Sequence, residues 1–150
     1  MRAPISEYKA VEEAAMKFVK SVAEGNSKHA RELFTEDAVL FGYLDGELEH
    51  GSIEQFYHNV DTVGAGADFK ARVDVVSIEE TVAVVRVLEE KWGGRIDFTD
   101  YLLLMKMHGE WKLLPRHTTK TPTRSRTNQQ PPARFESVVV ILTSYAEALL

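Results

Sequence analysis

A chain of 150 residues with 44% hydrophobic and 27% charged side chains has the size of one ordinary domain and too much apolar content for a disordered protein. No run approaches the roughly 20 apolar residues that cross a bilayer, the first periodic stretch carries Glu12 and Glu13 where a signal peptide would be apolar, and zero cysteines exclude disulfides, thiolate zinc sites and a Cys nucleophile. A cytoplasmic protein without membrane contact is expected. The net charge of −5 is uneven: residues 1 to 114 hold 13 Lys/Arg against 21 Asp/Glu, residues 115 to 150 hold 5 against 2. An acidic main body argues against nucleic acid, whose phosphates need clustered Lys and Arg.

Taken in chain order, Tyr8, Val11, Ala15, Phe18, Val19 and Val22 recur at helical spacing, which predicts an amphipathic helix with Ser6 at its start and Gly25-Asn26 as its left-handed stop. Ser27 then opens a short second helix through Ala30, Leu33 and Phe34. From Asp37 the pattern turns β-rich, and Asp45-Gly46 is a hairpin-turn signal within a first hairpin that ends near His50. The phrase Ser52-Ile53-Glu54-Gln55 reads as a capping box for a third helix carrying Phe56, Tyr57, Val60 and Val63, which Gly64 and Gly66 break. Three long runs follow, Phe69 to Ile78, Thr81 to Trp92 and Arg95 to Met107, and a short one from Glu110 to Leu114. They predict antiparallel strands, hence an α+β fold with three N-terminal helices on one face of a curved sheet.

Residues 115 to 150 differ in kind. Four of the five prolines lie there, and Pro115 and Pro122 cannot donate to a sheet ladder, so irregular backbone is expected to about Ala133. In the apolar segment Val138 to Leu150, Val138-Val139-Val140-Ile141-Leu142 favours strand and Tyr145 to Leu150 favours helix; both remain open.

The order of elements, with Leu33-Phe34-Thr35-Glu36-Asp37-Ala38, Phe41-Gly42-Tyr43-Leu44-Asp45-Gly46, Phe98-Thr99-Asp100-Tyr101 and Gly109-Glu110-Trp111-Lys112, resembles the nuclear transport factor 2-like superfamily over residues 5 to 114, and within it the SnoaL-like, lumazine-binding group. The resemblance implies a cone-shaped pocket between helices and sheet and a homodimer paired through the sheets. It implies no single reaction, because the superfamily includes isomerases, cyclases, dehydratases and proteins without catalysis. The domain of this family is expected over 1–114, and 115–150 departs from it. The codons CTG CCA AGG CAT ACA ACC AAA ACT CCA ACA would encode residues 114 to 123; read from the G of CTG, they give Ala-Lys-Ala-Tyr-Asn-Gln-Asn-Ser-Asn, closer to a family strand end. A frameshift near Leu114 and a genuine extension are the two explanations.

Alternation in the run from Arg95 puts Ile96, Phe98, Asp100, Leu102 and Leu104 on one face, so Asp100 sits in an apolar lane. Desolvation there pushes a carboxyl pKa upward, as in this superfamily's isomerases. The competing role is a cap on backbone groups or an ion pair with an arginine of a neighbouring strand, such as Arg72 or Arg86. Tyr43 offers a phenol near the first hairpin, as a ligand partner or as an ordinary core tyrosine. Asp45 fits a turn residue better than a base. Phe41, Tyr57, Trp92 and Phe98 are candidates to line an aromatic ligand site, and each would serve equally as core. His58 and Asp61 lie one helical turn apart but off the apolar face, which suits a solvated pair better than an acid–base one. No His/Asp/Glu spacing suits a metal, and no phosphate-cradling glycine motif or serine elbow is present.

The leading expectation is therefore a protein that binds a small hydrophobic or aromatic ligand without a cofactor. The alternatives are a cofactor-independent isomerase, cyclase or dehydratase using Asp100 and Tyr43, and a ligand-free protein-interaction module. A homodimer through the outer sheet face is expected from the Val- and Leu-rich long strands.

Overall fold

The computed structural model describes residues 3–44, 47–113 and 140–148, the last by its backbone. Helix α1 spans Ile5–Glu24, α2 Lys28–Arg31 and α3 Ile53–Val63; strands are β1 Val39–Leu44, β2 Glu47–Ser52, β3 Lys70–Ile78, β4 Val82–Trp92, β5 Ile96–Met107, β6 Glu110–Leu113 and β7 Val140–Ala148. These bounds follow the predicted elements, except that α2 stops at Arg31, short of the predicted Leu33 and Phe34. The hairpin turn Asp45-Gly46 and the Pro-rich stretch after Leu114 lie outside the described residues. No helix among the described residues is long and apolar enough to cross a membrane.

Helix α1 buries Val11, Ala15, Phe18, Val19 and Val22, the stripe its periodicity marks. Gly25 ends it in the left-handed region at φ +59°, and an added Cβ there would overlap the backbone of Gly64, so two constraints demand glycine. Two capping expectations fail. The helix starts one residue before Ser6, with Pro4 at the N-cap position, and Ser52 precedes α3 without a side-chain cap bond. Gln55 of the supposed capping box reaches Glu49 instead, its Nε2 donating to Oε2 at 3.3 Å.

The sheet runs β2-β1-β7-β5-β4-β3, with β6 also paired to β5. Every pairing is antiparallel except β1 with β7. Strand β7 lies between β1 and β5, so residues 140–148 take the strand and join the two parts of the sheet. Ala83, Val85 and Val87 of β4 and Leu102 and Leu104 of β5 are buried against the helices, where Phe18, Phe34 and Phe56 pack as a ring cluster.

Asp61 is no catalytic partner of the exposed His58. Its Oδ1 accepts the backbone N–H of Ser27 at 2.7 Å and its Oδ2 accepts the Ser27 hydroxyl at 2.8 Å, tying α3 to the start of α2. Those bonds, the backbone one first, hold its carboxyl below the usual aspartate range. A lowered carboxyl pKa stabilises above the unfolded-state value and loses that contribution as pH falls through the folded one. Asp61→Ala is expected to destabilise by about 1 kcal/mol at neutral pH, small because the site is exposed. Urea titrations should show the difference fading in acid; equal midpoints at pH 7 would refute the link.

Candidate active site

A cavity of about 100 Å³ opens between the helices and the sheet. Strand β1 contributes Leu40 and Gly42, and Gly42 leaves space because it projects no side chain. Val22 of α1 and Phe56 and Asn59 of α3 close the helical side, Glu49 of β2 and Tyr43 of β1 also line it, and Glu89, Trp92, Phe98 and Asp100 form the wall from β4 and β5.

That wall follows from pleat and register. Val87 lies opposite Asp100 and Glu89 opposite Phe98, so Glu89 and Asp100 are diagonal neighbours on one face of adjacent strands. The parity that buries Ala83, Val85 and Val87 carries Glu89 inward too. Strict alternation would then turn Lys91 inward and Trp92 outward. A register shift between Glu89 and Trp92, with Lys91 at φ +59°, reverses this and brings Trp92 to the cavity. The Trp92 and Phe98 ring centroids are 5.1 Å apart, at 55°.

Glu89 is 3% exposed and Asp100 6%. Burial first, and then the negative charge of Asp100, raise the Glu89 carboxyl well above its ordinary value, so Glu89 retains its proton where surface glutamates have lost theirs. Among the described residues, Glu89 Oε1 and Trp92 Nε1 are buried without a hydrogen-bond partner. Two polar atoms desolvated without a partner among the described residues are groups a bound molecule could satisfy.

Arg72 and Arg86, the arginines weighed as partners of Asp100, are bonded to another carboxylate. Arg72 Nε donates to Asp74 Oδ1 and Arg86 NH2 to Asp74 Oδ2, both at 2.8 Å. Arg72 is opposite Leu88, Asp74 opposite Arg86 and Arg86 opposite Tyr101, which puts this cluster on the outer face, across the sheet from Asp100.

Of the six residues singled out from sequence, Asp100, Tyr43, Trp92 and Phe98 surround the cavity, with Tyr43 51% exposed. Phe41 and Tyr57 lie elsewhere. Phe41 stacks on His50 across the β1–β2 hairpin, centroids 6.0 Å apart, on the face opposite Leu40 and Gly42. Tyr57 is core: it packs edge-on to Phe34, carries the Arg31 guanidinium 4.1 Å from its ring centroid, and burial pushes its phenol up to about 12. Asp45 is outside the described residues. Glu89 and Asn59 were not anticipated, and parity along β4 was the signal for Glu89. No group of three or more His, Asp or Glu suited to a metal occurs among the described residues.

Comparison with known proteins agrees with this architecture. An NTF2-like protein of unknown function from Shewanella baltica OS155 superposes with a TM-score of 0.74 at 22% identity, covering 99% of this chain and 100% of that one. Another from Methylobacillus flagellatus KT gives 0.71 at 20% identity, covering 95% of each chain. Among curated proteins, the chain is 35% identical over 111 residues to aldolase FrzH of Cladobotryum sp., which spans 74% of this chain and 89% of that protein. Residues 6–117 match the model of the family described as "Putative lumazine-binding". The chain belongs to that family, with the nuclear transport factor 2-like fold.

Proposed function

We propose that the cavity binds a small ring compound carrying a carbonyl, and that Asp100 and Glu89 move a proton at the carbon beside that carbonyl without a cofactor. The observation that carries this reading is the buried carboxyl pair in a largely apolar, aromatic-walled cavity, where burial first and the charge of Asp100 second keep the proton on Glu89. Two interacting carboxyls that share a proton are an acid–base unit. Asp100 takes the proton as the C–H bond breaks, the electron pair moves onto the carbonyl oxygen, and the Glu89 O–H or the Trp92 Nε1–H donates a hydrogen bond to that oxygen. The enolate then recovers a proton or attacks a second carbonyl. The likeness to a protein named as an aldolase favours the second outcome.

The test is proton NMR of 4-methylcyclohexanone in D2O. The protein is expected to accelerate loss of the signals next to the carbonyl. Loss at the buffer rate while calorimetry shows binding would leave a binding protein and remove the chemistry.

A homodimer through the outer sheet face is the expected assembly. Val84, Leu88, Tyr101 and Leu103 are only half-covered there by their own chain, and Val84 opposes Leu103. Sedimentation at micromolar concentration should give twice the chain mass; monomer alone would refute it.

A further inference from the structure

Trp92 enters the cavity against the parity of its strand, and specific contacts force it to do so. Between the pairs Glu89–Phe98 and Trp92–Ile96, β4 has two residues, Glu90 and Lys91, where β5 has one, Asp97. The extra residue makes a bulge and turns the side chain that follows to the other face. Lys91 absorbs it at φ +59°, a left-handed conformation that residues with a side chain seldom adopt unless neighbouring contacts hold them there.

Two sets of contacts hold Lys91. From β5, Oδ1 of Asp97 accepts the Lys91 backbone N–H at 2.9 Å, a donor that the bulge takes out of the strand-to-strand ladder. The turn then closes on the same residues: the Lys91 carbonyl accepts the Gly94 N–H at 2.8 Å, and the Trp92 carbonyl accepts the Arg95 N–H at 3.2 Å. From the segment between α3 and β3, Gly66 lies flush against this turn. A Cβ on Gly66 would stand 2.8 Å from the Lys91 carbonyl oxygen and 3.0 Å from the Gly94 nitrogen, closer than packed atoms approach. Lys91 Nζ also reaches Asp68 of that segment, at 3.9 Å.

Neither Asp97 nor Gly66 lines the cavity, yet both act on a residue that does. Resting on the function proposed above, the structure assigns Asp97 and Gly66 the role of positioning residues. They fix the bulge that sets the Trp92 indole in the cavity wall, 5.1 Å from the Phe98 ring, and thereby limit the size of ring that the site accepts. A cavity of about 100 Å³ suits a single six-membered ring. A loosened bulge lets the indole withdraw, and the space it fills opens to a second, fused ring.

The full chain and its variants Asp97→Ala, Asp97→Asn and Gly66→Ala test this with two readouts. The first is NMR of Trp92: the nuclear Overhauser contact between its ring and that of Phe98, and its indole N–H signal. Trp111, whose Nε1 donates to Glu7 Oε2 at 2.8 Å, is the internal reference. The second is calorimetry with 4-methylcyclohexanone and the two-ring 2-decalone.

Asp97→Ala removes the acceptor and Gly66→Ala displaces the turn. Each is expected to weaken the ring–ring contact, leave the Trp111 signal in place and move the affinity ratio toward 2-decalone by about tenfold. Asp97→Asn keeps an oxygen for the Lys91 N–H and should keep the wild-type contact and ratio. An unchanged Trp92–Phe98 contact in both alanine variants would overturn the positioning role and leave the proposed function standing. A displaced Trp92 with an unchanged ratio would overturn the size limit. Failure of the wild type to bind either ketone would overturn the proposed function and the size limit with it, while the ring–ring contact still decides what positions Trp92.

Discussion

Asp100→Asn and Glu89→Gln should each slow proton exchange on a bound ketone by about a hundredfold or more, the scale of a lost general acid or base. Their effects on stability should differ. Glu89 has a raised pKa, so its contribution to stability is complete below the unfolded-state value and declines as pH rises toward the folded one. Glu89→Gln removes the ionisation and with it the decline, so the variant should gain on the wild type in Tm as pH increases from acid to neutral. Asp100→Asn removes the second cause of the shift and should lower the Glu89 pKa without restoring it, since burial still acts. With Arg72 and Arg86 bonded to Asp74, the change strands neither arginine. A loss of several kcal/mol would show that Asp100 is chiefly structural.

The second large effect concerns the last strand. Residues 140–148 pair with β1 on one side and β5 on the other, and among the described strands β1 has only β2 as its other neighbour. Removing β7 separates the β1–β2 hairpin from the sheet and exposes two edges. At ~1 kcal/mol for each net backbone hydrogen bond, the loss is on the order of 5–10 kcal/mol, comparable with the whole stability of a domain. Deleting residues 120 to 150 is therefore expected to abolish cooperative urea unfolding. We propose the boundary at Leu114 as one of sequence origin: the family match ends at residue 117, whereas the strand completing the sheet begins at Val140. A truncated chain that unfolds with the full-length midpoint and slope would make it a structural boundary as well.

Which residues reach the cavity was only partly legible in the sequence. Asp100 was visible because period-2 alternation from Ile96 to Leu104 is unbroken, and its burial follows that parity. Glu89 obeys the same rule in β4, but the doublet Glu89-Glu90 looks like the solvated end of a strand, and only counting inward from Ala83 reveals that its first member is buried. Trp92 depends on a register shift and a left-handed Lys91, for which local sequence gives no period. On α3, Phe56 and Tyr57 are adjacent and both apolar, so spacing could not tell which faces the cavity and which the core. Strand β7 was ambiguous because its second half has helical propensity, and pairing on both sides outweighs propensity. The order of the helices and the first six strands was legible because each has one clear period and a clear break.

The most direct test is the titration of Glu89 itself, followed through its carboxyl 13C NMR signal in the wild type and in Asp100→Asn. A coupled, buried pair predicts that Glu89 titrates well above the ordinary glutamate range in the wild type and moves downward when Asp100 loses its charge. Titration in the ordinary range, unchanged by Asp100→Asn, would contradict the account.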